Sequence, residues 1–172
     1  MSSGKIDALK AALGMGARSN KYRVIINGVG GGPTGSIVDT LAKNTIIPAR
    51  SFNDVEIWNQ GRLTTIAGSA DFSGTWSITF IDKEDHHLRK KFIAWMEFID
   101  SVANHSKEAP DHSSYMTSGE VHQLSTIDNS SKAIYTFEDI WPKSISDSSV
   151  ADDSTDLIEF TVEFNYSSWK VS

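Results

Sequence analysis

Residues 28–36 read GVGGGPTGS and follow almost directly on the apolar run Tyr22-Arg23-Val24-Ile25-Ile26. How this stretch is read decides the fold. Gly30, Gly32 and Gly35 fit the spacing G-x-G-x-x-G, the strand-to-helix turn that cradles a pyrophosphate in dinucleotide-binding folds. An acidic residue about 20 positions on would then hold a ribose, and Asp54 and Glu56 stand near there. That fold also needs strands alternating with crossover helices. After Gly35 only Ser36 to Lys43 offers a helix, on the thin apolar pair Ile37 and Leu41, and Asn44-Thr45-Ile46-Ile47-Pro48 favours extended chain. The glycines are therefore expected to form a hairpin loop, where glycine takes positive φ freely.

Outward from this loop the hydrophobic period is two. Val55 and Ile57 alternate with Glu56 and Trp58, Asn59-Gln60-Gly61-Arg62 turns, and Leu63 to Ala67 returns. Trp76, Ile78 and Phe80 line one side of the next strand. One segment is helical: Leu88, Phe92, Trp95, Met96 and Ile99 recur at steps of three and four, with Asp82 expected to cap them. Residues 106–116 lack a period and read as a loop. Glu120 to Ile127 and Lys132 to Trp141 flank a turn at Asp128-Asn129-Ser130-Ser131, with Tyr135, Phe137 and Trp141 expected on one face. Ile158, Phe160, Val162, Phe164 and Tyr166 alternate with Glu159, Thr161, Glu163 and Asn165 in the clearest strand. The expected architecture is mostly β, an antiparallel sandwich or barrel with one packed α-helix. Its organisation is an N-terminal arm, residues 1–20, then a single β-sandwich domain, 21–172, with the helix near 84–104.

The 172 residues carry 39% apolar and 22% charged residues and a net charge of −6, an ordinary globular balance. An acidic chain whose only basic cluster is Arg89-Lys90-Lys91 is not built to grip nucleic acid. The absence of cysteine excludes disulfides, zinc-thiolate sites and cysteine nucleophiles. No run suits a signal peptide or a membrane span. The sequons at Asn104, Asn129 and Asn165 are read as accidental.

Candidate chemistry is sparse. His86 and His87 point about 100° apart on a helix, and His105, His112 and His122 hold no ligand spacing to them. Asp152-Asp153-Ser154-Thr155-Asp156 lacks the glycine and spacing of a calcium loop. No G-x-S-x-G elbow occurs. Glu159 and Glu163, four strand positions apart, lie roughly 13 Å from each other, too far for a glycosidase pair. Trp76 and Trp95 belong to apolar periodicity. Trp58 and Trp169 leave open a carbohydrate-binding sandwich, the alternative reading in a different class. Ile6, Leu9 and Leu13 share one side of a short N-terminal helix that needs a surface to dock against.

Four stretches in order, IPARSFNDVEIWNQGR (47–62), AGSADFSGTWSITFID (67–82), FEDIWPKSIS (137–146) and EFTVEFNYSSW (159–169), resemble the tail tube proteins of contractile-tailed bacteriophages. HHLRKKFIAWMEFID (86–100) resembles that family's single helix. The chain departs from the family at Ser69, where aspartate is usual, in continuing through Lys170-Val171-Ser172, and in its glycine richness at 28–35. The resemblance implies a virion tail protein, assembled in the bacterial cytoplasm, whose hexameric rings stack into a hollow conduit for DNA ejection. Type VI secretion inner tubes share this plan, so the inner tube or tube-initiator of a contractile injection machine is the related alternative. The implied partners are other copies of itself, a sheath protein, baseplate and tail terminator proteins, a tape measure protein and DNA in transit without specific binding. Neither catalysis, a cofactor, a metal nor membrane insertion is implied. Glu159, Thr161, Glu163 and Asn165 become the candidate lumen face, since an acidic or neutral wall repels phosphate. Outside solvent or a neighbouring subunit is the competing assignment of that face. Ile6, Leu9 and Leu13 of the arm, with Trp58, Asn59, Gln60 and Arg62 of the hairpin, become candidate ring-to-ring contacts.

Overall fold

The strand patterns fold into one antiparallel sheet with a helix across its apolar side. The structure, a computed structural model, describes residues 3–13, 17–104, 111–148 and 157–172. In chain order these form α1 (Ser3–Leu13), β1 (Tyr22–Ile26), α2 (Ser36–Leu41), β2 (Ala42–Ile46), β3 (Ser51–Asn59), β4 (Arg62–Asp71), β5 (Trp76–Ile81), α3 (His87–Asn104), β6 (Thr117–Leu124), β7 (Ser131–Ile145), β8 (Glu159–Asn165) and β9 (Ser168–Val171). A 3₁₀ turn, His112–Ser114, precedes β6. Seven strands make the main sheet in the order β1-β6-β7-β8-β5-β2, with β9 also on β7, and β3 pairs only with β4. Every pairing is antiparallel.

β7 is the corner of the fold. Its first part pairs with β6 and β9, and its last residues pair with β8. Between them Asp139 sits at φ 55, and the buried set slips by one residue, from Phe137 to Ile140 and Pro142. Such a bulge bends a strand and changes which side its residues face. It corrects one expectation: Trp141 leaves the face of Phe137 and lies opposite Asn165 on the outer side. The bend brings the sheet round towards closure, where the Tyr22 hydroxyl donates to the Ala42 carbonyl at 3.0 Å and ties β1 to β2.

The core fills this curve. Trp76 stacks on Phe137 at 4.3 Å between ring centroids, and Trp76 Nε1 donates to Thr45 Oγ1 at 2.9 Å. A β-carbon on Gly119 would lie 2.6 Å from the Trp76 ring, so the indole occupies space that only glycine leaves. Helix α3 buries Leu88, Phe92 and Trp95, with Phe92 against Phe80 and Phe160. Trp95 Nε1 donates to the Tyr115 carbonyl, so the deepest indole is satisfied.

Two further expectations are corrected. Asp82 does not cap α3: its buried carboxylate accepts from Lys83 N–H and meets His86 Nδ1 at 2.6 Å. His86, at φ 50, turns the chain, and Asp85 takes the His87 N–H instead. Nor do the glycines join a hairpin; they lead from β1 into the short α2, which buries Val38. Gly28 N–H donates to the Pro33 carbonyl and Gly32 N–H to that of Val29, inside the loop itself. Gly30, at φ 60, lies against Phe98 of α3, where a β-carbon would come within 2.1 Å of the ring. The loop is a packing device.

Candidate functional site

Gln60 at φ 50 and Gly61 at φ 76 give the two-residue turn whose twist suits a hairpin, and this turn joins β3 to β4. All nine residues of β3 are exposed. Register sorts the side chains. Val55 and Ile66 oppose each other on one face beside Ile57 and Thr64, with Asn59 and Arg62 at the tip. The other face carries the Trp58–Leu63 pair near the tip, with Asp54 and Glu56 towards the root. Phe52, Val55, Ile57, Trp58, Leu63 and Ile66 all remain exposed, Trp58 to 68%. A lone two-stranded hairpin is marginal in water, and this one covers neither face with its own chain.

The root is held firmly. The Arg50 guanidinium lies 5.9, 5.6 and 6.0 Å from the rings of Phe52, Phe72 and Trp169. β3 bulges between Phe52 and Asp54, which brings the Asn53 carbonyl where a β-carbon on Gly68 would sit, 2.7 Å away. Ser69, the departure from the usual aspartate, accepts from Asn53 Nδ2 through its hydroxyl at 3.2 Å. Trp169 is half-buried, its indole Nε1 shielded and its ring against Tyr135 and Phe137.

Glu159, Thr161, Glu163 and Asn165 share the outer side of β8, while Phe160, Val162 and Phe164 point to the core. Their surroundings are polar and largely neutralised. Lys43 pairs with Glu159, Thr161 Oγ1 meets Thr79 Oγ1 at 2.9 Å, and Ser144 donates to Glu163 at 3.0 Å. The two carboxylates therefore have separate partners and do not act on each other. Lys43, Ser77, Thr79 and Ser144 were missed from sequence, because only strand pairing brings them beside β8.

Helix α1 presents Ile6, Leu9 and Leu13 to solvent. Beyond them lies the β6–β7 turn, with Ile127 81% exposed. That turn is ordered: Ser125 N–H donates to the Ser130 carbonyl, and Asp128 accepts from the Ser130 N–H and hydroxyl. These hydrogen bonds hold the Asp128 carboxyl at about 2, Ser130 contributing most. Leu13, Ala17, Leu124, Ile127 and Lys132 line a cavity of about 300 Å³ beside it.

Among the described residues no group of three or more His, Asp or Glu side chains is disposed to hold an ion. His122 lies between Glu120 at 2.7 Å and Ser131 at 2.9 Å, and His112 contacts the Tyr115 hydroxyl. His105 and the acidic stretch 152–156 lie outside the described residues. Among the described residues no helix is long and apolar enough to cross a membrane.

The comparisons agree with this geometry. No curated protein matches. A chain of the sheath/tube terminator of an extracellular contractile injection system, PVC, in its extended state superposes with a TM-score of 0.66 at 8% identity, over 90% of this chain and 95% of that one. The tube-terminating cap of the anti-feeding prophage gives 0.62 at 9% identity, over 91% and 90%. A chain of the PVC sheath-tube complex gives 0.58 at 10% identity, over 95% and 96%. At such identities these likenesses establish the fold. Residues 17–172 match the phage tail tube protein family, which covers all of the main sheet, the hairpin and α3. The chain belongs to the phage tail tube protein family, a family of structural proteins rather than enzymes.

Proposed function

We propose that this protein is the repeating subunit of a tail tube: copies close into hexameric rings, rings stack into a hollow conduit, and DNA passes through it on ejection. The observation that carries this reading is the free-standing β3–β4 hairpin. Large apolar side chains on both its faces are exposed and costly to leave in water, and in this reading other copies cover them. Among the described residues the outer edge of β2 pairs with no strand, its Ala42 carbonyl taken by the Tyr22 hydroxyl, and in this reading that edge meets a neighbouring copy. The outer face of β8 is the lumen wall in this reading. Its Ser, Thr and Asn groups, the Lys43–Glu159 pair and the remaining charge of Glu163 offer phosphate no cationic site.

Sheath, baseplate, terminator and tape measure proteins are the partners such a tube needs, in a virion tail assembled in the host cytoplasm. Residues 1–20 act as an arm to the domain formed by 21–172, and α1 contributes to stacking. Negative-stain electron microscopy of the concentrated, purified protein tests the assembly. Rings or hollow tubes are expected; a protein that stays monomeric even when offered a nucleating baseplate refutes it. Deleting residues 2–18 is expected to stop tube growth while leaving a folded protomer. Neutralising Glu159 and Glu163 to glutamine is expected to leave assembly intact and slow DNA release. Unchanged ejection kinetics would remove β8 from the lumen.

A further inference from the structure

The hairpin tip and the β6–β7 turn are complementary surfaces on different parts of one chain. The tip presents Trp58 and Leu63 on a face whose root carries Asp54 and Glu56. Among the described residues neither carboxylate has an ion-pair partner within its own chain. The turn presents Ile127, among the described residues the most exposed large apolar side chain, beside Leu124 and the 300 Å³ cavity. A dry apolar cavity of about 150 Å³ already takes a benzene ring, so this one has room for an indole. Its charge is opposite to that of the hairpin face. Lys132 lines it, and Lys21 is spent on the neutral Asn129 side chain, against the single carboxylate of Asp128.

We infer that the tip of one copy seats in this cavity of the next copy, Trp58 and Leu63 against Leu124 and Ile127, with Glu56 facing Lys132. The inference rests on the tube reading and deepens it by joining two surfaces into one contact. Because the two patches differ, the contact is heterologous and repeats from copy to copy instead of closing on itself as a two-fold dimer. Among the described residues the cavity's lining includes none from the hairpin, so a chain's own tip does not reach its own seat.

The chain has no cysteine, which makes cross-linking unambiguous. One population carries Thr65→Cys, on the docking face beside Glu56, and a second Thr126→Cys, on the lining of the cavity, so that Trp58, Leu63, Leu124 and Ile127 all stay in place. Under mild oxidation the mixture is expected to give disulfide-linked dimer about tenfold above either population alone, because contact raises the local thiol concentration. Homodimers of Thr65→Cys equal to the mixed species would overturn the heterologous contact. In a second arm, Glu56→Lys and Lys132→Glu are each expected to raise the concentration at which tubes form about tenfold. Both in one chain should restore it; a double variant no better than the singles overturns the pairing. Wild-type tubes without the mixed cross-link would sink the joint and leave the tube. Absence of both, with a nucleating baseplate supplied, would sink the tube reading as well.

Discussion

Replacing Gly30 by alanine tests whether the glycine loop exists to pack or to bind. The new β-carbon would lie 2.1, 2.2 and 2.5 Å from Cγ, Cδ1 and Cβ of Phe98. Two costs add. Alanine at φ 60 carries left-handed strain of about 1–2 kcal/mol. Overpacking against the ring costs about 1–3 kcal/mol as Phe98 and the loop shift apart. The sum, about 2–5 kcal/mol, is a large share of a domain's total stability. At roughly 2–4 °C per kcal/mol for a chain of this size, Tm should fall by roughly 4–20 °C. Gly61→Ala, in the hairpin turn, is the control: φ is 76 but no atom lies within 4 Å, so only backbone strain is paid. Denaturant unfolding at low protein concentration, where assembly does not contribute, gives both values. A cycle with Phe98→Ala then isolates the clash, since Gly30→Ala without the ring should retain only its strain. If Gly30→Ala costs no more than Gly61→Ala, and Phe98→Ala does not lessen it, the packing account of the glycines is wrong.

Gly119→Ala should cost about 1–3 kcal/mol by crowding Trp76 and Ile140, read as a lower urea midpoint at unchanged slope. Among the described residues the buried Tyr166 hydroxyl has no partner, so Tyr166→Phe should be neutral or stabilising at pH 7. Burial first, and Asp71 second, raise the Tyr166 pKa. Ionising this tyrosine is therefore harder in the folded protein, so stability is unaffected below the unfolded value near 10 and falls as pH rises from there through the raised folded value; Tyr166→Phe should lessen that alkaline loss, and an unchanged alkaline limb would contradict this. The Asp128 carboxyl, lowered to about 2, contributes above its unfolded value near 4 and loses that contribution as pH falls towards 2. The stability gap between wild type and Asp128→Asn should shrink across that window, and a direct NMR titration should place the carboxyl midpoint near 2. Trp58→Ala, on an exposed hairpin, should leave the monomer's stability within about 0.5 kcal/mol while abolishing tubes; a large loss of monomer stability would mean that the hairpin packs on its own chain.

What could be read in the sequence is what depends on neighbours along the chain. Alternation fixed which residues of β5 and β8 face inward, and the steps of Leu88, Phe92 and Trp95 fixed the buried stripe of α3. The Gln60-Gly61 turn was legible because its backbone demands a positive φ that glycine supplies. The family, too, was visible in the ordered stretches, and the match over 17–172 bears it out.

The rest depends on pairing between distant segments, which no local period encodes. The slip at Asp139 that turns Trp141 outward arises because β7 serves two partner sets at once. Asp82 fell out of its capping role because His86 reverses the chain above it, a bend that helical spacing does not register. The glycines kept their meaning hidden because the group they accommodate, Phe98, lies on a helix far along the chain. Sequence placed Val55, Ile57 and Trp58 on a hairpin, but only the fold left both faces bare. A residue's exposure is set by what the whole chain fails to cover, and the surfaces available for assembly are therefore decided by tertiary structure.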